Sequence, residues 1–147
     1  MSKSGTYSRV SGMTILFAER DADTRDAYQS TAVSAGFSVE LAANGYEAIA
    51  LANVFLPNLT VLDAGLADLD GVEVARRLRA NSRTCAIPIV FVSRNDSQMR
   101  ETALRAIRCE GHLVRPFPYR DLIVLARVLA IRHRAPAPAI NVGRSPR

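Results

Sequence analysis

At 147 residues, with 48% hydrophobic and 22% charged side chains, the chain has the make-up of one soluble globular domain with tails. Such a domain buries roughly two thirds of its unfolded surface. No apolar stretch approaches the ~20 residues needed to span a bilayer. The lead MSKSGTYSRVSG has no apolar signal core, so the expectation is a cytoplasmic protein without membrane contact. Cys85 and Cys109 are far apart and lack metal-ligand spacing, which reads as two reduced structural thiols.

The net charge of +5 conceals an asymmetry. Residues 1–73 carry four basic and ten acidic side chains, a net of −6, whereas residues 74–147 carry fifteen basic and four acidic, a net of +11. All fifteen are arginine, and Lys3 is the only lysine. A basic half can steer toward nucleic acid or toward an acidic protein surface. No aromatic residues interleave with the arginines for base stacking, so a solvated basic surface is expected and nucleic acid is not.

In chain order, a flexible lead over 1–12 is followed by apolar runs that alternate with helix-like segments. Strands are predicted at 14–18, 37–42, 58–62, 87–92 and 112–114, and helices at 22–35, 45–54, 71–81, 97–108 and 119–133. Gly36 stops the first helix, Asn44-Gly45 opens the second, and Ser97 caps the fourth with Glu101 in its first turn. In the last helix Leu122, Leu125, Ala126, Leu129 and Ala130 form one apolar stripe. Pro88 near the start of its strand is tolerated there. Five strands alternating with five helices predict a parallel sheet covered on both faces, one α/β domain over 13–133. The tail 134–147, with three prolines and no periodicity, reads as disordered.

In open α/β sheets, ligands bind beyond the carboxyl ends of the strands. The predicted strand ends carry Glu19-Arg20-Asp21, Asp63, Ser93 and Arg115. A carboxylate closing a buried strand is costly unless it is exposed in a crevice and used, which singles out Asp63.

The segment PNLTVLDAGLADLDG (Pro57–Gly71), with FVS (Phe91–Ser93) and VRPF (Val114–Phe117) at matching spacing, resembles the receiver domain of two-component response regulators over roughly 13–133. The resemblance implies a flavodoxin-like three-layer sandwich, its five-stranded parallel sheet in order 2-1-3-4-5. It makes Asp63 the phospho-acceptor for a histidine kinase or phosphotransfer protein, Ser93 the switch hydroxyl, and Arg115 the stand-in for the family's lysine. It makes Glu19, Asp63 and the Gly65 carbonyl ligands of Mg²⁺, puts His112 at the switch aromatic position, and makes Arg115-Pro116 a cis peptide. Ala67 and Leu66 replace the usual loop proline and methionine, and Arg94 replaces a small residue beside the switch hydroxyl.

One departure bears on the metal: the second acid of the pair is Arg20. Like unit charges ~4 Å apart repel by about 4 kcal/mol at an effective dielectric of 20, and a divalent ion feels about twice that. Arg20 and Mg²⁺ should exclude one another unless Arg20 swings out to solvent and Asp21 substitutes. Arg20 is instead expected to pair with Asp63, blunting it as a nucleophile, or else to stabilise the transferring phosphoryl oxygens. Two functions follow: a phospho-accepting receiver that signals by protein contact, and a pseudo-receiver in which Arg20 displaces Mg²⁺ and the domain binds partners without phosphorylation. Neither is an enzyme in its own right. In both, Arg100, Arg105, Arg108, His112, Arg120 and Arg127 form a basic 97–133 face for an acidic effector or a second copy of the chain.

Overall fold

The computed structural model describes residues 10–94 and 106–133. Five strands form one parallel sheet in the order β2-β1-β3-β4-β5. They are β1 (Thr14–Ala18), β2 (Ser38–Ala42), β3 (Leu59–Asp63), β4 (Ile89–Ser93) and β5 (Gly111–Val114). Four helices are described: α1 (Ala22–Ser34), α2 (Gly45–Phe55), α3 (Gly71–Ala80) and α4 (Tyr119–Arg132). The fourth expected helix, over 97–108 with Ser97 and Glu101, lies largely outside the described residues. Only its end, at residues 106–107, is helical within them.

The alternation of side chains along each strand sorts the core into two layers. Ile15, Phe17, Leu59, Val61, Val90 and Val92 point to one face, where they meet Tyr28 and Ala32 of α1 and Leu122, Ile123, Ala126, Leu129 and Ala130 of α4. Leu16, Ala18, Leu62, Ile89 and Phe91 point to the other, against Ala48 and Ala52 of α2 and Val74, Ala75 and Leu78 of α3. The flavodoxin-like three-layer sandwich read from the sequence is therefore the fold. The predicted stripe of α4 packs as expected, with Ile123 added and Leu125 at its edge.

Four strands differ from expectation by a residue or two; β2 starts one residue later and β5 one earlier, and the shifts of β3 and β4 matter. β4 starts after Pro88, which has no N–H to give the ladder, and ends on Ser93. β3 extends to Asp63, whose Cα pairs in register with Val92. Both polar residues thus belong to strands rather than loops.

Three of the four described helices that start at the carboxyl edge of the sheet are capped by a polar side chain. Asp21 caps α1 through the Thr24 amide, Asn44 caps α2 through Glu47, and Asp70 caps α3 through Glu73. Asp68 adds a carboxylate at the start of α2, accepting from the Gly45 and Tyr46 amides at 2.7 and 3.1 Å. It ties the loop after β3 back to α2, the helix before that strand, and those amides hold the Asp68 carboxyl below its ordinary range. Gly71 lets α3 begin against the site: a Cβ there would lie 2.5 Å from the Asp63 carbonyl oxygen.

The opposite edge is closed by Arg79 of α3. Its guanidinium donates to the carbonyls of Cys85, Ile87, Ile107 and Arg108 and to the Glu110 carboxylate, at 2.6–3.2 Å. Its side chain is 11% exposed, so this cation is a structural clasp joining the entry to β4 with the entry to β5.

Candidate functional site

The strand order reverses between β1 and β3, and the crevice expected there opens at their carboxyl ends. It is a cleft of about 340 Å³ lined by Glu19, Arg20, Asp21, Thr24, Asp63, Gly65, Arg94 and Arg115. Glu19 follows β1, Asp63 and Ser93 close β3 and β4, and Arg115 follows β5. Glu19 and Asp63 are 3% and 6% exposed and Ser93 is fully buried, so these acids are not ordinary polar strand ends.

Arg115 is the cation between the two acids. Its Nη2 donates to Glu19 Oε1 at 2.6 Å and to the Tyr28 hydroxyl oxygen at 3.2 Å, while Nη1 stands 3.8 Å from Asp63 Oδ1. Asp63 Oδ1 also accepts the Gly65 amide at 2.9 Å. Glu19 Oε2 accepts the Asp21 amide at 3.0 Å. Burial pushes the Glu19 carboxyl up from its ordinary range and the nearby charge of Asp63 adds to this, while the Asp21 amide and Arg115 oppose it.

The expected pairing of Arg20 with Asp63 is not what the chain forms. Arg20 is exposed at the mouth of the cleft, and among the described residues its guanidinium makes no ion pair. The reason is alternation: once Glu19 turns inward, its neighbour in extended chain turns out. Arg25 then grips the carbonyls of Glu19 and Arg20 at 2.7 and 3.0 Å. Asp21 does not take the vacated role either. Its carboxylate is committed to the Thr24 amide and hydroxyl at 2.9 and 2.8 Å, bonds that lower its pKa.

This donor set does not fit Mg²⁺, which requires near-octahedral oxygen coordination. One Glu19 oxygen is taken by Arg115 and the other by a backbone amide, Asp63 Oδ1 already accepts a donor, and the neighbouring acid is an arginine. Among the described residues no group of three His, Cys, Asp or Glu converges as a metal site.

Ser93 Oγ lies 2.8 Å from His112 Nε2. His112 is half-buried in β5, in register with Phe91, and is turned in toward Ser93 rather than out to a partner face. Of the other expected face residues, Arg108, Arg120 and Arg127 lie within the described residues. Arg108 precedes β5 and reaches back to the Cys85 carbonyl at 3.4 Å, whereas Arg120 lies beyond the far end of β5, its side chain 84% exposed. Arg127 is half-buried on α4, and Arg100 and Arg105 lie outside the described residues. The Arg115-Pro116 peptide is cis.

Tyr28 and Thr24 are the residues sequence reasoning passed over. A signal for Tyr28 existed: a tyrosine on the core face of α1 must find a partner for its hydroxyl.

No helix among the described residues is long and apolar enough to cross a membrane. Residues 15–127 match the model of the response regulator receiver domain. The response regulator MprA of Mycobacterium leprae is 31% identical over 133 residues, covering 90% of this chain and 58% of that one. This chain spans about half the length of the curated relatives it matches. Among solved structures, the Vibrio cholerae chemotaxis protein CheY4 is 25% identical, covering 80% of this chain and 98% of its own, with a TM-score of 0.74. The receiver domain of the sensor histidine kinase PA1611 of Pseudomonas aeruginosa, whose structure has a magnesium ion in its active-site cleft, is 25% identical with a TM-score of 0.72, covering 81% and 98%. Receiver domains are signalling modules that interact with histidine kinases and effectors. The cleft, the sheet order and these matches agree, and the chain belongs to the response regulator receiver domain family.

Proposed function

We propose that Asp63 accepts a phosphoryl group from the phosphohistidine of a histidine kinase or phosphotransfer protein, and that the domain passes the signal on by protein contact. The observation that carries this reading is the placement of Asp63 Oδ1 3.8 Å from Arg115 Nη1 in an open cleft. Asp63 Oδ1 accepts the Gly65 amide, and Oδ2 is the oxygen that would attack phosphorus. The new O–P bond forms as the P–N bond breaks, and the imidazole leaves with a proton. Arg115 is the positive charge within reach of the oxygens of the transferring group. Ser93, one residue beyond Val92, the β4 partner of Asp63, is the hydroxyl that would bond the phosphoryl group, giving up its contact with His112.

A second reading is a pseudo-receiver that binds partners without phosphorylation. It is favoured by the misfit of the donor set to Mg²⁺, and the cation responsible is Arg115 rather than Arg20. In either reading the outward stripe of α4, with Arg120, Val124, Arg127 and Val128 at helical spacing, is the surface for an acidic effector or a second copy. Val124 and Val128 are 57% and 48% exposed.

Incubation with a small acyl phosphate, with and without Mg²⁺, followed by intact mass, tests the choice. The first reading expects one phosphoryl adduct on the wild type and none on Asp63→Ala. No adduct under either condition leaves the pseudo-receiver.

A further inference from the structure

A long arginine beside two acids has many rotamers, and something must hold Arg115 where it is. Glu19 supplies one anchor at 2.6 Å. The other is the Tyr28 hydroxyl, which accepts from the same Nη2 at 3.2 Å. With both Nη2 hydrogens directed, the guanidinium plane is fixed and Nη1 faces Asp63.

Tyr28 is well placed to impose that geometry. It is 3% exposed on α1, its ring stacked on Phe17 of β1 at 4.9 Å and edge-on to Tyr119 of α4 at 5.4 Å. Ring contacts on two elements fix where the oxygen points, and a tyrosine has only two side-chain torsions to fix. Burial pushes the phenol up to about 12, so it stays a neutral acceptor at physiological pH. Phenylalanine would fill the same apolar space. The hydroxyl adds nothing to the packing, and its partner is Arg115.

We propose that Tyr28 is a positioning residue that holds Arg115 as the resident cation of the cleft, so that Arg115 and a divalent metal ion compete for Glu19 and Asp63. The competition stands on the contacts of Arg115 alone; its consequence for phosphoryl transfer rests on the reading of Asp63 given above. The site is neutralised from within, and a metal enters only as Arg115 leaves.

Tyr28→Phe removes the hydroxyl and keeps the ring. A hydrogen bond to a charged donor shifts an equilibrium by about tenfold or more. The Mg²⁺ midpoint of Tyr28→Phe, followed by the Gly65 amide in NMR spectra, should therefore fall about tenfold below that of the wild type. In an Arg115→Met background the same substitution should leave the midpoint unchanged, a result that a purely structural tyrosine would not give. In the wild type, the Arg115 guanidinium resonances should shift along the same Mg²⁺ titration curve as Gly65. Equal midpoints for wild type and Tyr28→Phe, with the fold intact by amide spectrum, would overturn the proposal. So would Arg115 resonances that do not respond as Mg²⁺ binds, a measurement needing no variant. Neither readout involves phosphate. A gain of Mg²⁺ binding without any adduct would sink the phospho-acceptor reading alone, and adducts with an unchanged midpoint would sink only the role of Tyr28.

Discussion

Arg115→Met removes the cleft's central cation while keeping the bulk of its stem, and its effect follows from the geometry. At an effective dielectric of about 20, unit charges separated by 2.6 and 3.8 Å attract by about 6 and about 4 kcal/mol. Desolvation of the three groups offsets most of this, and removing one partner of a buried pair costs about 3–5 kcal/mol net because a charge is left uncompensated. Here two are left, Glu19 and Asp63, with side chains only 4% and 8% exposed. A domain of this size is stable by about 5–15 kcal/mol, so the variant should fold but unfold at clearly lower urea. The loss should be largest at pH 7 and shrink toward pH 4.5, where Glu19, already pushed up by burial, takes up a proton. Mg²⁺ should restore part of it by supplying the missing positive charge. Urea unfolding at both pH values, with and without Mg²⁺, measures all three effects. A variant within about 0.5 kcal/mol of the wild type at pH 7, the range of an ordinary surface substitution, would refute the reasoning.

Two further outcomes test other parts of the structure. Glu19→Gln should flatten the pH dependence of stability above pH 4.5. A carboxyl whose folded pKa lies above its ordinary 4.5 stabilises the fold below that value and loses the contribution as pH rises through the folded pKa, and glutamine does not titrate. Asp21, Asp68 and Glu73, all shifted down, act in the opposite sense below their ordinary 3.8, 3.8 and 4.5, and should do so equally in both proteins. Stepped-pH urea midpoints separate the two windows, and identical slopes above pH 4.5 would contradict the role given to Glu19. Arg79→Ala should destabilise by about 3 kcal/mol, since four carbonyls lose a charged donor. Glu110 adds little to that figure because its side chain is 36% exposed. Arg79→Lys, with one ammonium for a fork of donors, should recover only part, as read by equilibrium unfolding.

The fold was legible because its signals are local. Continuous apolar runs such as Ile89-Val90-Phe91-Val92 and stop residues such as Gly36, whose φ is +101°, mark elements without reference to the rest of the chain. The identity of the acids at the strand ends followed from those runs. What was not legible is which arginine faces them. Arg20 is adjacent to Glu19 in sequence and was the natural choice, whereas Arg115 is 96 residues away. Strand alternation alone argues against Arg20 once Glu19 is placed inside, but nothing local says where a long side chain from another loop will reach. The same applies to Tyr28, whose hydroxyl partner lies 87 residues on. Arg79, too, gathers acceptors from segments that meet only in the folded sheet.

Arg79 and Arg115, with side chains 11% and 28% exposed, show how one side chain serves opposite ends. At the amino edge of β4 and β5, Arg79 is ringed chiefly by backbone carbonyls, which carry no net charge, do not titrate and are fixed by the sheet. It has no competing arrangement. At the carboxyl edge, Arg115 is held by two carboxylates and a phenol, each of which can change charge or partner, beside a cleft open to solvent. On the proposals above, an incoming dianion would draw it toward Asp63, and an incoming divalent cation would drive it away from both acids. Either movement would occur at the end of the strand that carries His112, because Arg115 directly follows β5, and its backbone amide donates to the Ser93 carbonyl at 2.9 Å. The cation between the two acids is thus joined by its own main chain to the strand pair that carries the Ser93–His112 contact.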